Sequence, residues 1–143
     1  MSETAQAYNW VGSTMAADST LVAAATGGIY REYAPVDTVA PFVIVQQQVA
    51  TDVLTVNGIR LFVSILLQIK MLGPSGIGGN YAALVIGADR IDALFKSVRS
   101  VGLGGTGGVL CCYREQSLAY SELINGQPWS HLGGLYHIEL QGV

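Results

Sequence analysis

The chain has 143 residues, 50% of them hydrophobic and only 12% charged. That supply of apolar surface excludes a mainly disordered chain and suffices for one core, so residues 1–143 read as a single domain. The net charge of −3, from seven basic and ten acidic residues, leaves no basic footprint for gripping duplex nucleic acid.

The first segment, MSETAQAYNW, has no basic stretch followed by an apolar block, so no secretory leader is expected. From Thr4 to Ala25 the chain is Ala-rich and predicts helix. Asp18-Ser-Thr offers an N-cap for a second short helix, Ser19 to Ala25, which Gly27 and Gly28 stop. Ile29 to Tyr33 predicts a short strand closed by Pro35. Pro41 opens another, Phe42 to Gln48, because proline at a strand's first position forfeits no needed ladder bond.

Asp52 to Val56 and Ile59 to Leu72 flank Asn57-Gly58, a strong hairpin signal. In the second arm every odd position from Ile59 to Met71 is apolar. The even positions mix Arg60, Phe62, Ser64, Leu66, Gln68, Lys70 and Leu72. One face must pack on a continuous apolar layer, most simply helices, and the mixed face is left for solvent or another subunit. This run is the most apolar in the chain, yet polar residues break it and it is too short to cross a bilayer as a helix. No membrane partner is expected.

Asn80 to Arg99 predicts the main amphipathic helix, capped by Asn80, with Tyr81, Leu84, Ala88, Ile91, Leu94 or Phe95, and Val98 at helical spacing. Val109 to Glu122 and Leu135 to Gln141 predict a last pair of strands around an extended turn that holds Trp129 and His131. The order gives an α+β fold: an antiparallel or mixed sheet with a long hairpin and helices packed on one face.

Candidate chemistry is sparse. Gly102-Leu-Gly104-Gly-Thr-Gly107 has the letters of a dinucleotide fingerprint, but it follows a predicted helix and opens a strand, the reverse of the required context. Gly73 to Asn80 lies between a strand and a helix, where backbone amides could hold an anion. It lacks a phosphate-reaching lysine and reads as a flexible loop that orders against a partner. Cys111 and Cys112 are adjacent in a strand, point to opposite faces and read as free thiols. With His131 and His137 they form no recognised metal spacing. His137 is placed on the face opposite Tyr136, Ile138 and Leu140. No serine sits in a nucleophile elbow. Asp89 and Asp92, with Arg90 and Lys96 near, read as a surface network, and Arg90, Lys96 and Arg99 as a solvated helix face. No catalytic, cofactor-binding or metal-binding residue is assigned, and the chain is expected not to be an enzyme. A mean hydropathy of +0.41 with few charges points to apolar surface covered by neighbouring subunits.

The Ala-rich helical start followed by Asp18-Ser-Thr-Leu21, Gly27-Gly28-Ile29-Tyr30 and Pro41-Phe42-Val43 resembles the tail-completion family of tailed phages, the tail terminators or tail-to-head joining proteins. The long hairpin arm and the later helix are also similar to that family. The resemblance spans nearly the whole chain through loose structural motifs, from which Gly102 to Gly108 and the turn around Trp129 depart. It implies a structural virion protein of the tail or neck, assembled in the host cytoplasm. Such a subunit closes with copies of itself into a ring of about six through heterologous contacts. The ring caps the tail-tube protein, stops its polymerisation and meets the head connector or stopper, while genomic DNA passes without specific binding. The interface candidates are Asn57, Gly58, Arg60, Phe62 and Gln68 for contacts between subunits, and Gly76, Gly78, Trp129 and His131 for the tube or connector. The alternatives are another neck component, such as a connector stopper or head-completion protein, or a small-ligand-binding domain on the Gly73 to Asn80 loop.

Overall fold

The structure, a computed structural model, describes residues 2–79, 81–102 and 107–141. Two helices come first, α1 (Glu3–Ala16) and α2 (Ser19–Ala24), then strands β1 (Ile29–Arg31), β2 (Phe42–Leu54) and β3 (Arg60–Pro74). After α3 (Tyr81–Phe95) come β4 (Ser97–Gly102), β5 (Gly108–Ile124) and β6 (Gln127–Gln141). The helix starts follow from local chemistry. Ser2 Oγ accepts the Ala5 N–H, and the Asp18 carboxylate accepts the Leu21 N–H at 2.9 Å. Each side chain thereby satisfies a donor that the first helical turn leaves orphaned.

The six strands form one mixed sheet in the order β1-β2-β3-β6-β5-β4. β1 runs parallel to β2, and every other pair is antiparallel. The helices cover one face. Val63, Ile65, Leu67, Ile69 and Met71 of β3 bury there beside Tyr136, Ile138 and Leu140 of β6. From the helices come Ala7, Val11, Met15, Leu21, Leu84, Ile91 and Phe95. Phe95 joins the layers, meeting Trp10 edge-on at 5.6 Å and Tyr136 at 6.0 Å. Each fully buried Leu, Ile or Phe contributes about 1.5–3 kcal/mol through apolar area removed from water.

The α+β reading, the mixed sheet and the hairpin at Asn57-Gly58 agree with expectation, and several details do not. Phe42–Leu54 is one strand with a bulge at Gln48, rather than two separate pieces. The alternation in β3 buries its odd positions only from Val63 onward. Ile59 and Leu61 stay exposed, beyond the last described β3–β6 pair, Val63 with Leu140. The main helix ends at Phe95, and Ser97–Gly102 is a strand rather than its last turns, so Arg99 lies in β4. The run Gly102 to Gly107 therefore links two strands, β4 and β5, with 103–106 outside the described residues. Asn80, the expected cap of α3, also lies outside them.

The largest correction concerns the last hairpin. Its turn is Asn125-Gly126 alone, with φ of 51° and 76°, the left-handed pair that a two-residue type I′ turn requires. Trp129 and His131 stand within β6 rather than in a turn. Gly133 and Gly134, despite their turn-like composition, lie inside β6. A Cβ on Gly133 would stand 2.1 Å from the Ile69 carbonyl oxygen, so glycine there marks close backbone approach.

Candidate interaction surface

The face of the sheet away from the helices is built by the even positions of β3 and the odd positions of β6, and cross-strand register sets its rows. Phe42, Leu72, His131 and Tyr120 make one row. Val49, Leu66, His137 and Tyr113 make another. The pairs within these rows are specific. Tyr120 stacks on His131 with ring centroids 4.4 Å apart, and Tyr113 stacks on His137 at 5.1 Å. Lys70 Nζ donates to Tyr120 Oη at 2.8 Å, and Phe42 packs against Trp129 at 6.3 Å.

At one end of this face the chain from Glu32 to Thr38 folds over it and leaves an open groove of about 580 Å³. Tyr33, Phe42, Ile44, Leu72, Ile124 and Trp129 line it, with Lys70 at the floor. Lys70 is 8% exposed, and among the described residues no carboxylate lies within ion-pair distance of it. Local alternation places Lys70 on the mixed face. Its burial depends on Ile44 and Tyr120, from strands distant in sequence, so no local pattern singles Lys70 out.

His131 is buried beside Glu122, with Nε2 and Oε1 2.6 Å apart. Burial lowers its pKa below the ordinary imidazole value, against the smaller raising effect of the Glu122 hydrogen bond. The ring is thus neutral at pH 7, donates from Nε2 to Glu122, and keeps Nδ1 buried without a hydrogen-bond partner. His137 links Ser64, with Oγ 3.3 Å from Nδ1, to Glu115, with Oε1 3.0 Å from Nε2. This has the connectivity of a Ser-His-acid set. Ser64, however, sits mid-strand with β2 and β6 bonded on both sides, so the backbone around it has no pair of spare N–H groups for an oxyanion. The chain of bonds fixes side chains on the face.

Of the interface candidates, Phe62, Gln68, Trp129 and His131 share this face. Phe62, Gln68 and Trp129 are half-buried and His131 is buried. Asn57 and Gly58 lie apart from them, in the exposed tip of the β2–β3 hairpin. There the Gly58 N–H bonds the Thr55 carbonyl at 2.9 Å and Gly58 takes a φ of 77°. Arg60, beside the tip, pairs with Glu3 of α1 and reaches Asp52 at 3.7 Å. Gly76 and Gly78 sit at the other end, in the loop after β3, where Gly76 packs against Pro128. The tip carries exposed Leu54, Val56, Ile59 and Leu61.

Two of the polar groups expected to form a network around α3, Asp92 and Arg90, have partners on other elements. Asp92 pairs with Arg114 of β5 at 2.9 Å, and Arg90 pairs with Asp18. Cys111 and Cys112 are free and face opposite sides, as adjacency in a strand requires. Burial pushes the Cys111 thiol up to about 11, with help from Glu139, and Cys112 up to about 12. Among the described residues no cluster of three or more His, Cys, Asp or Glu side chains could hold a metal, and no helix is long and apolar enough to cross a membrane. Comparison with protein-family models, curated proteins and solved structures gave no match.

Proposed function

We propose that this chain is a structural subunit that closes with copies of itself into a ring on the end of a phage tail tube. The ring ends tube growth and meets the head connector. The observation that carries the reading is the β2–β3 tip, where Leu54, Val56, Ile59 and Leu61 stand exposed past the last described rung shared with β6. Apolar residues grouped on a projecting hairpin are costly to leave wet and suit a fixed protein partner. The acidic balance suits a lumen through which DNA slides, since few cations are present to release its counterions. The motif order from Asp18 to Val43 supplies the link to tail completion.

A phage lacking this gene tests the proposal. Tails of uncontrolled length, or finished tails unjoined to heads, are expected, and normal joined virions would refute it. The groove above Lys70 is the observation that favours the alternative, a small-ligand-binding domain. Calorimetry with nucleotides and inorganic phosphate separates the two, and the ring reading expects no specific heat.

A further inference from the structure

The two edges of the sheet are stepped, and the steps match. On one edge β1 covers only Val43–Val45 of β2. Tyr8 Oη accepts the Gln47 N–H at 2.8 Å, and from Val49 to Leu54 the strand pairs with β3 alone. On the other edge β4 covers Gly108–Tyr113 of β5, and from Gln116 to Ile124 that strand pairs with β6 alone. One edge therefore has a recess at the hairpin-tip end and a projecting strand at the other end. The opposite edge has the reverse.

The levels follow from the ladder. Arg99 aligns with Cys111, Cys111 with Glu139, Glu139 with Ser64, and Ser64 with Thr51. By the same steps Ser97 is level with Val49, and Val101 with Asp52. The projecting β4 thus stands at the height of the β2 recess. At the other end Tyr30 of β1 stands level with Leu118, in the recess of β5.

We propose that β4 of one copy adds beside residues 49–54 of β2 in the next copy, while β1 of that next copy enters the recess beside β5. This rests on the ring reading and names its contact. A neighbour placed at the same height, turned about an axis along the strands, fills both steps at once. Contact between unlike edges without a rise is what closes a ring instead of a filament. The added pairs are parallel for β4 on β2 and antiparallel for β1 on β5, because β1, β2 and β4 run the same way. The edges are open where they would meet: Arg99 and Thr51, which share a row on the face away from the helices, are both exposed. The β2 recess, Val49-Ala-Thr-Asp-Val-Leu54, has no proline or lysine, the usual guards of an edge that must stay unpaired.

Engineered disulfides test this. Because Arg99 is the ladder partner of Cys111, the variants are made with Cys111→Ser. Copies carrying Thr51→Cys and copies carrying Arg99→Cys, whose positions share a row, are prepared separately, mixed at high concentration and mildly oxidised. A mixed disulfide that needs both copies is expected, and the chain carrying both substitutions is expected to give covalent closed oligomers. No disulfide, or a disulfide that joins two copies of the Thr51→Cys chain through like edges, overturns the edge pairing. As a second measurement, Thr51→Arg should weaken association roughly tenfold by sedimentation, through like charge against Arg99, and adding Arg99→Asp should restore it. Wild-type rings that assemble without a contact between positions 51 and 99 would sink the edge pairing and leave the ring reading standing. Protein that stays monomeric both free and on tail tubes would sink both.

Discussion

Gly27 is fixed by its neighbours. Its N–H bonds the Pro41 carbonyl at 2.9 Å, and a Cβ there would stand 1.6 Å from the Val39 carbonyl oxygen. Gly27→Ala must push the 35–41 segment off the sheet, so a loss of roughly 2–4 kcal/mol is expected, read as a lowered Tm. His131 gives a pH signature. Its folded pKa lies below its unfolded one, so between the two the unfolded chain binds more protons. Its stabilising contribution is complete above the ordinary imidazole pKa of about 6.5 and is lost as pH falls below it. Urea midpoints should drop between pH 7.5 and 5.5, on either side of that value of about 6.5, and His131→Gln should flatten that slope. An unchanged slope would mean that His131 is not the buried base. The thiols test burial directly. With Cys111 near 11 and Cys112 near 12, native protein at about pH 8 should alkylate both slowly, Cys112 measurably only after unfolding.

Asp18 ties two elements together, capping α2 through the Leu21 N–H and pairing with Arg90 of α3. The Arg90 hydrogen bond holds the Asp18 carboxyl below the usual carboxylate range. Asp18→Ala should cost about 1–2 kcal/mol, whereas Asp18→Asn keeps a capping oxygen and should cost about half as much by chemical denaturation. At this scale the sequence is legible where one element's own period decides its face. The odd positions of β3 and the cap at Asp18 are such cases. It misleads where an irregularity changes the period. Val98 and Val101 are spaced like a helix stripe, yet Ser100 between them has φ 47°, and this irregular residue turns both valines to the core side of a strand. Trp129 and His131 read as turn residues because Pro128, Gly133 and Gly134 imitate loop composition. The true turn, Asn125-Gly126, carries the same dipeptide signal as Asn57-Gly58.

Across the whole molecule, the groove over Lys70 and the stepped edges arise from strand order, which no local pattern encodes. The mixed face is legible in the alternation of β3; what covers Lys70 is not. The hairpin tip joins the two scales, because its sequence marks the turn while the register of β3 on β6 places it past their last described pair. Val56 and Ile59 are exposed, with Ile59 at 66%, so charges there meet water in the isolated subunit and should change its stability by no more than about 0.5 kcal/mol. In an assembly that buries the tip the same charges are desolvated without partners and should block association. Val56→Asp with Ile59→Asp is therefore expected to leave the thermal melt of dilute protein unchanged while abolishing ring formation and rescue of a gene-deleted phage. A variant that still forms rings and still yields joined virions would show that the tip stays in solvent, and the proposed function would lose the observation that carries it.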